Sequence, residues 1–276
     1  MPASLADERS AAHAVLRQAS DPLLEITDLA LAFGGIQALD GVGFSVEPGC
    51  ITGLIGPNGA GKTTLFNCLS RLYTPDSGDI RFAGRSILGD QPHQIAAAGI
   101  GRTFQNLALF HSLTVLDNVL IGAHPRMTSG FVGSALALAS VRAEEGATRA
   151  RADEVLASLR LGEVASLPVT ALPFGTRKLV ELARTLMASP RLLLLDEPAS
   201  GLNHEEVQAL GETLQRLRQE HDLTLLLVEH HMDLVMGISD KVVVLDFGKK
   251  IAEGTPDQVR KNPAVIDAYL GGGAAG

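Results

Sequence analysis

Residues 56–64 constrain the fold and chemistry of this chain more than any other segment. They read Gly-Pro-Asn-Gly-Ala-Gly-Lys-Thr-Thr, which fits the phosphate-binding pattern G-x-x-x-x-G-K-[ST]. The glycines permit backbone conformations closed to other residues, so successive N–H groups turn inward around phosphate oxygens. The mainly apolar residues 50–55 predict a buried strand, and residues 62–72 predict a helix whose N-terminus faces the anion. We therefore expect the chain to bind a nucleoside triphosphate.

Two side chains of this loop are suited to triphosphate chemistry. Lys62 supplies a positive charge for the β and γ phosphates, and the Thr63 hydroxyl is a ligand for Mg²⁺. The loop residues expected to contact the nucleotide are Gly56, Pro57, Asn58, Gly59, Ala60, Gly61, Lys62, Thr63 and Thr64.

A second element suited to phosphate chemistry follows much later in the chain. Residues 192–195 are four leucines, and such an unbroken apolar run predicts a strand covered on both faces, as in a parallel sheet. Asp196 and Glu197 come next, at the carboxyl end of the strand, where open α/β sheets bind their ligands. Asp196 is suited to holding Mg²⁺, and Glu197 to orienting and deprotonating an attacking water. The pair predicts hydrolysis in addition to binding.

Composition and charge exclude several classes of protein. The 276 residues carry a net charge of −8 without a long basic run, which argues against duplex nucleic acid as the main partner. The longest stretch without Asp, Glu, Lys or Arg covers 15 residues (127–141), short of the ~20 needed to cross a bilayer. No basic region leads into an apolar stretch at the N-terminus, so we expect no secretion signal. Cys50 and Cys68 lie in apolar contexts, so a buried, reduced pair is expected.

The order of predicted elements indicates an α/β core interrupted by helices. Alternating apolar positions between residues 23 and 46 predict antiparallel strands, and residues 107–188 are rich in Ala and Leu with a helical period. After residue 191 strands and helices alternate again. The predicted division is a mobile lead-in (1–22), a single domain (23–270) with a helical subdomain at approximately 106–188, and a flexible tail (271–276).

The order of these motifs resembles that in the ATP-binding subunit of an ABC transporter, over roughly residues 23–270. The resemblance implies a P-loop NTPase core of the ABC ATPase type, with an antiparallel β subdomain, an inserted helical subdomain, and ATP and Mg²⁺ as cofactors. It places Phe33 where the family has an aromatic that stacks on adenine. Gln105 matches a glutamine that contacts Mg²⁺ and lines the groove for the membrane subunit. His230 matches the histidine that contacts the γ phosphate.

Two further features lie around His230 and after Glu197. Residues 200–203 match the family's loop that crosses the dimer interface. His231 directly follows His230 and is interpreted as a surface neighbour, although the resemblance leaves a one-residue ambiguity between them. A His-His pair is also a metal-binding pattern, but no cysteine or carboxylate set stands at ligand spacing in the sequence.

The family signature Leu-Ser-Gly-Gly-Gln is changed in this chain. It aligns with residues 172–176, Leu-Pro-Phe-Gly-Thr, so only Leu172 and Gly175 are kept. The signature presents a helix N-terminus and a serine hydroxyl to the γ phosphate bound on the opposite subunit. Pro173 fits a helix start but offers no hydroxyl, so a weakened clamp is expected.

Several segments resemble the ATP-binding subunits of branched-chain amino-acid importers and their amide or urea relatives. They include residues 102–105, residues 228–240, and the end of the chain from residue 254 to residue 271. The resemblance implies a catalytic set of Glu197, His230 and Gln105 that powers import through integral-membrane permease subunits. A second ABC ATPase subunit is the other expected partner, with a heterodimer favoured and a homodimer possible. A solute-binding protein would act indirectly, and the expected location is the cytoplasmic face of the membrane.

Other functions remain open at this point. The lipopolysaccharide-export ATPase is a near relative of the importer group. A soluble ABC ATPase acting on ribosomes or DNA is a second class, although only one phosphate loop and no sustained heptad run are present. A simple kinase or GTPase would require the matches at Gln105, the signature and His230 to be accidental.

Overall fold

The structure, a computed structural model, describes residues 21–103, 107–123 and 139–271. Gln105, residues 1–20 of the predicted lead-in and residues 272–276 of the predicted tail lie outside the described residues. The strands are β1 (Leu24–Phe33), β2 (Ile36–Val46), β3 (Ile51–Ile55), β4 (Ser77–Phe82), β5 (Arg85–Ser86), β6 (Ile100–Arg102), β7 (Leu192–Asp196), β8 (Thr224–Val228), β9 (Lys241–Asp246) and β10 (Lys249–Gly254). The α-helices are α1 (Lys62–Leu69), α2 (Pro92–Ala98), α3 (Val115–Ile121), α4 (Ala139–Ser158), α5 (Phe174–Leu186), α6 (His204–His221), α7 (Met232–Ile238), α8 (Pro256–Arg260) and α9 (Pro263–Gly271).

The strands form two sheets of different character. The larger has six strands in the order β10-β9-β3-β8-β7-β6, and all neighbours except β10 and β9 pair in parallel. The smaller is an antiparallel sheet of four strands in the order β2-β1-β4-β5. Helices α3, α4 and α5 stand between β6 and β7 in the chain, where helices were predicted. The mixed α/β architecture with an antiparallel sheet is the predicted fold class.

The parallel strands are buried on both faces, as the unbroken apolar runs predicted. Side chains of a strand point alternately to opposite faces, so Leu192 and Leu194 pack in a core with the antiparallel sheet and α1. Leu193 and Leu195 pack on the other face with α3, α4, α5 and α6. Full burial of each leucine stabilises the fold by about 1.5–3 kcal/mol. The two cores fix the sheet, so that the carboxyl ends of its strands are held in register.

Local signals set the ends of two helices near the site. The N-cap of helix α6 is Asn203, whose Oδ1 accepts from the N–H of Glu206 (3.0 Å) while the Glu206 carboxylate accepts from the N–H of Asn203 (2.9 Å). The helix predicted over residues 62–72 ends earlier, at Leu69. The prediction was too long because Arg71 adopts a left-handed φ of 58° and its guanidinium donates to the carbonyl of Leu88 (2.6 Å).

Two predictions from composition can be compared with the described residues. Cys50 and Cys68 are both buried and neither forms a disulfide, as predicted, and burial raises the pKa of the Cys68 thiol to about 11. Within the described ranges, no helix combines the length and the apolar character that a membrane span requires.

Candidate active site

The predicted phosphate loop joins β3 to α1 and packs against the end of β9. At Gly56 a Cβ would lie 2.1 Å from the carbonyl oxygen of Leu245, so only glycine allows this approach. Ala60 is buried, and its carbonyl oxygen accepts from the N–H of Gly248 (3.1 Å). The two residues before Ala60 are exposed. The loop is therefore anchored at both ends and presents its tip to solvent.

The ammonium of Lys62 lies across its own loop. Nζ donates to the carbonyl oxygens of Gly56 (2.6 Å) and Pro57 (2.9 Å). Burial lowers the pKa of Lys62, and the negative charges of Glu197 and Asp196 act against this lowering. Both acidic residues predicted from the sequence thus lie within electrostatic reach of the phosphate-loop lysine.

Asp196 is held by a buried ion pair at the end of β7. Its Oδ2 accepts from Nη2 of Arg102 at 2.8 Å, and each of the two side chains is only 9% exposed. Nη1 of Arg102 also donates to Oδ1 of Asn67 (2.9 Å) and to Oγ of Ser70 (3.0 Å), so the guanidinium ties β7 to α1. Sequence reasoning noted Arg102 only as part of the importer-like segment 102–105 and gave it no role at the site, because β6 has three residues and is too short to show a strand period.

Glu197, the predicted base, follows β7 in a left-handed conformation with φ of 49°. Its N–H donates to the carbonyl of Val228 (2.9 Å), and its own carbonyl accepts from the N–H of Ser200 (3.1 Å). Oε2 of its carboxylate lies 3.9 Å from Nδ1 of His230, a separation that one water can bridge. The fold therefore brings together two of the predicted catalytic residues from the ends of β7 and β8.

Glu229 is a buried carboxylate that sequence reasoning missed as a site residue. Its Oε1 accepts from the N–H of Ala199 (2.6 Å), and its Oε2 accepts from the N–H groups of His230 (3.0 Å) and His231 (3.3 Å). The expectation that no cysteine or carboxylate stands at ligand spacing from the histidine pair is wrong, because ligand atoms of Glu229 and both histidines lie within 4.8 Å of one another. With three main-chain N–H groups on it, this carboxylate joins the loop after β7 to the loop after β8. The sequence signal that could have identified Glu229 was its position directly before His230.

The predicted adenine platform stands at the end of β1. Phe33 is 46% exposed there, and Tyr73 packs against it edge to face with ring centroids 5.2 Å apart. A ring supported on one side and open on another is suited to stacking on a planar base. Tyr73 was not identified from the sequence.

The signature-like residues stand at the start of α5. Pro173 is the N-cap residue and makes no side-chain cap, as its place at a helix start predicted. Leu172 is buried, and Gly175 lies against Glu206 and Leu202, so that a Cβ on Gly175 would lie 2.8 Å from Oε1 of Glu206. These contacts place the segment beside the loop that follows Glu197.

Known proteins are similar to this chain in both sequence and fold. A profile of the ABC transporter family matches residues 39–200, and one of the branched-chain amino acid ATP-binding cassette transporter family matches residues 249–275. The high-affinity branched-chain amino acid transport ATP-binding protein BraF of Pseudomonas aeruginosa is 44% identical over 91% of this chain and 99% of BraF. LivG of Escherichia coli K12, described in the same words, is 42% identical over the same shares. The ADP conformation of MJ1267, an ATP-binding cassette of an ABC transporter, superposes with a TM-score of 0.80 at 31% identity, covering 91% of this chain and all of MJ1267.

These matches confirm the predicted fold class, nucleotide binding and ATPase activity. They give no support to the alternatives of a soluble ATPase acting on ribosomes or DNA, or of a lipopolysaccharide-export ATPase. A family profile over more than half of the chain, together with relatives above 40% identity along most of it, makes this chain a member of the ABC transporter family, as one of its ATP-binding cassettes.

Proposed function

We propose that this chain hydrolyses ATP to power import of a small solute, branched-chain amino acids or related amides, through a membrane permease. The observation that carries the proposal is that Lys62, Asp196 and Glu197 come together at the carboxyl ends of the parallel strands. The solute class is supported by the names of BraF and LivG, both branched-chain amino acid transport proteins.

Each charged residue of the site has a separate role in the proposed hydrolysis. The phosphates attract Lys62 away from the carbonyl oxygens of Gly56 and Pro57, since a charged acceptor outcompetes a neutral one. Glu197 then takes a proton from the water whose oxygen attacks the γ phosphorus, and the bond from that phosphorus to the bridging oxygen of ADP breaks. In this proposal His230 contacts the γ phosphate and orients that water, and the 3.9 Å between its Nδ1 and Oε2 of Glu197 supports this role.

The residues at the phosphate loop fit a magnesium ion. The Thr63 side chain is exposed on the first turn of α1, and the Asp196 carboxylate ends β7, so both offer the oxygen ligands that Mg²⁺ prefers. When bound, the ion would neutralise charge on the β and γ phosphates. Gln105, the third predicted contact, stays a prediction.

Two kinds of partner belong to this proposal. Phe110 is 51% exposed next to the half-buried Leu113, and such an apolar patch is suited to a permease segment.

A second cassette would complete each ATP site with its own signature segment. Because Pro173 lacks the hydroxyl of the family's serine, we favour a heterodimer whose partner supplies an intact signature. The permease would hold the cassette at the cytoplasmic face of the membrane.

The substitution Glu197→Gln tests the proposed chemistry. We expect hydrolysis to fall by ~10²-fold or more while ATP affinity stays the same, because only the proton acceptor is lost. The matched control is Glu163→Gln, which removes one exposed carboxylate outside the proposed site and should leave turnover unchanged. Near-normal turnover in Glu197→Gln would move the base elsewhere, with His230 the next candidate.

A further inference from the structure

Lys178 connects the signature-like helix α5 to the backbone that carries the proposed base. Its Nζ donates to the carbonyl oxygen of Pro198 at 2.9 Å and lies 3.4 Å from that of Glu197. Both acceptors are main-chain atoms. The ammonium therefore holds the two peptide groups after the Glu197 side chain, and the carboxylate itself stays directed toward His230.

The backbone at Glu197 requires such support. A residue with a Cβ adopts a φ of 49° only when its surroundings hold it there, and such positions concentrate at functional sites. The N–H of Glu197 donates to the carbonyl of Val228, and the N–H of Ser200 donates to the carbonyl of Glu197. Lys178 adds a charged donor on the same carbonyl side, from a different element of the fold.

Phe174 fixes the direction of the lysine. Its ring lies 5.4 Å from Nζ of Lys178, within the range of a cation–π contact. The same ring packs on the backbone of Gly201, where φ is 80° and a Cβ would lie 2.9 Å from the ring. The beginning of α5 thus contacts both ends of the short segment from Glu197 to Gly201.

We propose that Lys178 is a positioning residue for ATP hydrolysis. By holding the carbonyls of Glu197 and Pro198, it sets the direction in which the Glu197 carboxylate meets the attacking water. This inference rests on the proposed role of Glu197 as the base. It adds that α5 positions the Glu197 carboxylate of its own chain, in addition to any contact that the signature-like residues make with the ATP of a partner cassette.

The substitution Lys178→Met, which keeps the length of the side chain and removes the donor, tests the inference in the full-length protein. We expect kcat at saturating ATP to fall about 10-fold, the lower end of the range for one hydrogen bond to a charged group, with the affinity for a fluorescent ATP analogue within twofold of wild type. Lys178→Arg, which retains a charged donor, should restore most of the rate. Lys261→Met, at an exposed lysine, controls for the change in net charge. If Lys178→Met melts below the assay temperature, Lys178→Gln is measured in its place.

A second background separates this inference from the proposal about Glu197. In Glu197→Gln there is no base to position, so adding Lys178→Met should leave the residual hydrolysis rate unchanged. An equal loss in both backgrounds, or a kcat of Lys178→Met within twofold of wild type, would overturn the role of Lys178. Near-normal turnover in Glu197→Gln alone would instead overturn the base.

Discussion

Replacing Arg102 by methionine should destabilise the fold strongly. The guanidinium pairs with Asp196 at 2.8 Å, and both side chains are 9% exposed, so solvent screens the pair little. Breaking a buried pair by removing one partner costs about 3–5 kcal/mol, because the remaining charge stays buried. The contacts of Arg102 to Asn67 and Ser70 are lost as well, whereas the nearby Lys62 compensates part of the Asp196 charge. We therefore expect a loss of about 3 kcal/mol in the free energy of unfolding.

Urea denaturation followed by circular dichroism measures this loss. Arg102→Lys is the matched control, since it keeps the charge but cannot form the guanidinium fork, and it should lose less than Arg102→Met. The double variant Arg102→Met with Asp196→Asn removes both charges, so its loss should be well below the sum of the two single losses. A loss below about 1 kcal/mol in Arg102→Met, or additive losses in the double variant, would show that the pair does not hold β7 to α1.

Two further predictions concern the partners. Phe110→Asp should abolish transport with the reconstituted permease and leave basal ATPase activity intact, because it places a charge in the apolar patch. The control is Ile266→Asp, at an exposed residue of α9. Unchanged transport in Phe110→Asp would show that the patch is not the docking site. Pro173→Ser should raise the ATPase rate of the isolated chain by roughly 10- to 100-fold, the range of one hydrogen bond to a charged group, and should add little when a cassette with an intact signature is present. An isolated wild-type chain that already hydrolyses ATP briskly and gains nothing from the serine would contradict the weakened clamp.

Motifs with fixed spacing could be predicted from the sequence because each of them combines a local backbone shape with one chemical group. The phosphate loop is one such case, since its glycines and Lys62 stand in one continuous turn. The strand before Asp196 is another, because burial on both faces leaves an unbroken apolar run. The domain division, and the roles given to the site residues by resemblance, stay predictions.

The contacts missed by sequence reasoning join residues far apart in the chain. Arg102 and Asp196 are 94 positions apart, and Ala199 and Glu229 are 30 apart. No periodicity links such pairs, because their meeting depends on the order of strands in the sheet and not on local pattern. The left-handed φ of Glu197 has the same origin, since the bonds to Val228 and Ser200 that maintain it form only in the folded sheet.

The charged groups of the site differ in how easily a nucleotide could displace them. Asp196 is held by a buried guanidinium, and Glu229 by three main-chain N–H groups, so moving either would expose a buried charge or unmake several bonds. Among the residues that the structure describes, the hydrogen bonds of Lys62 go only to neutral carbonyl oxygens, and a phosphate is a stronger acceptor than these. Binding should therefore move the lysine and leave the acidic residues in place. A site arranged in this way has its electrostatic field set before the nucleotide arrives, and such preorganisation lowers the barrier to hydrolysis.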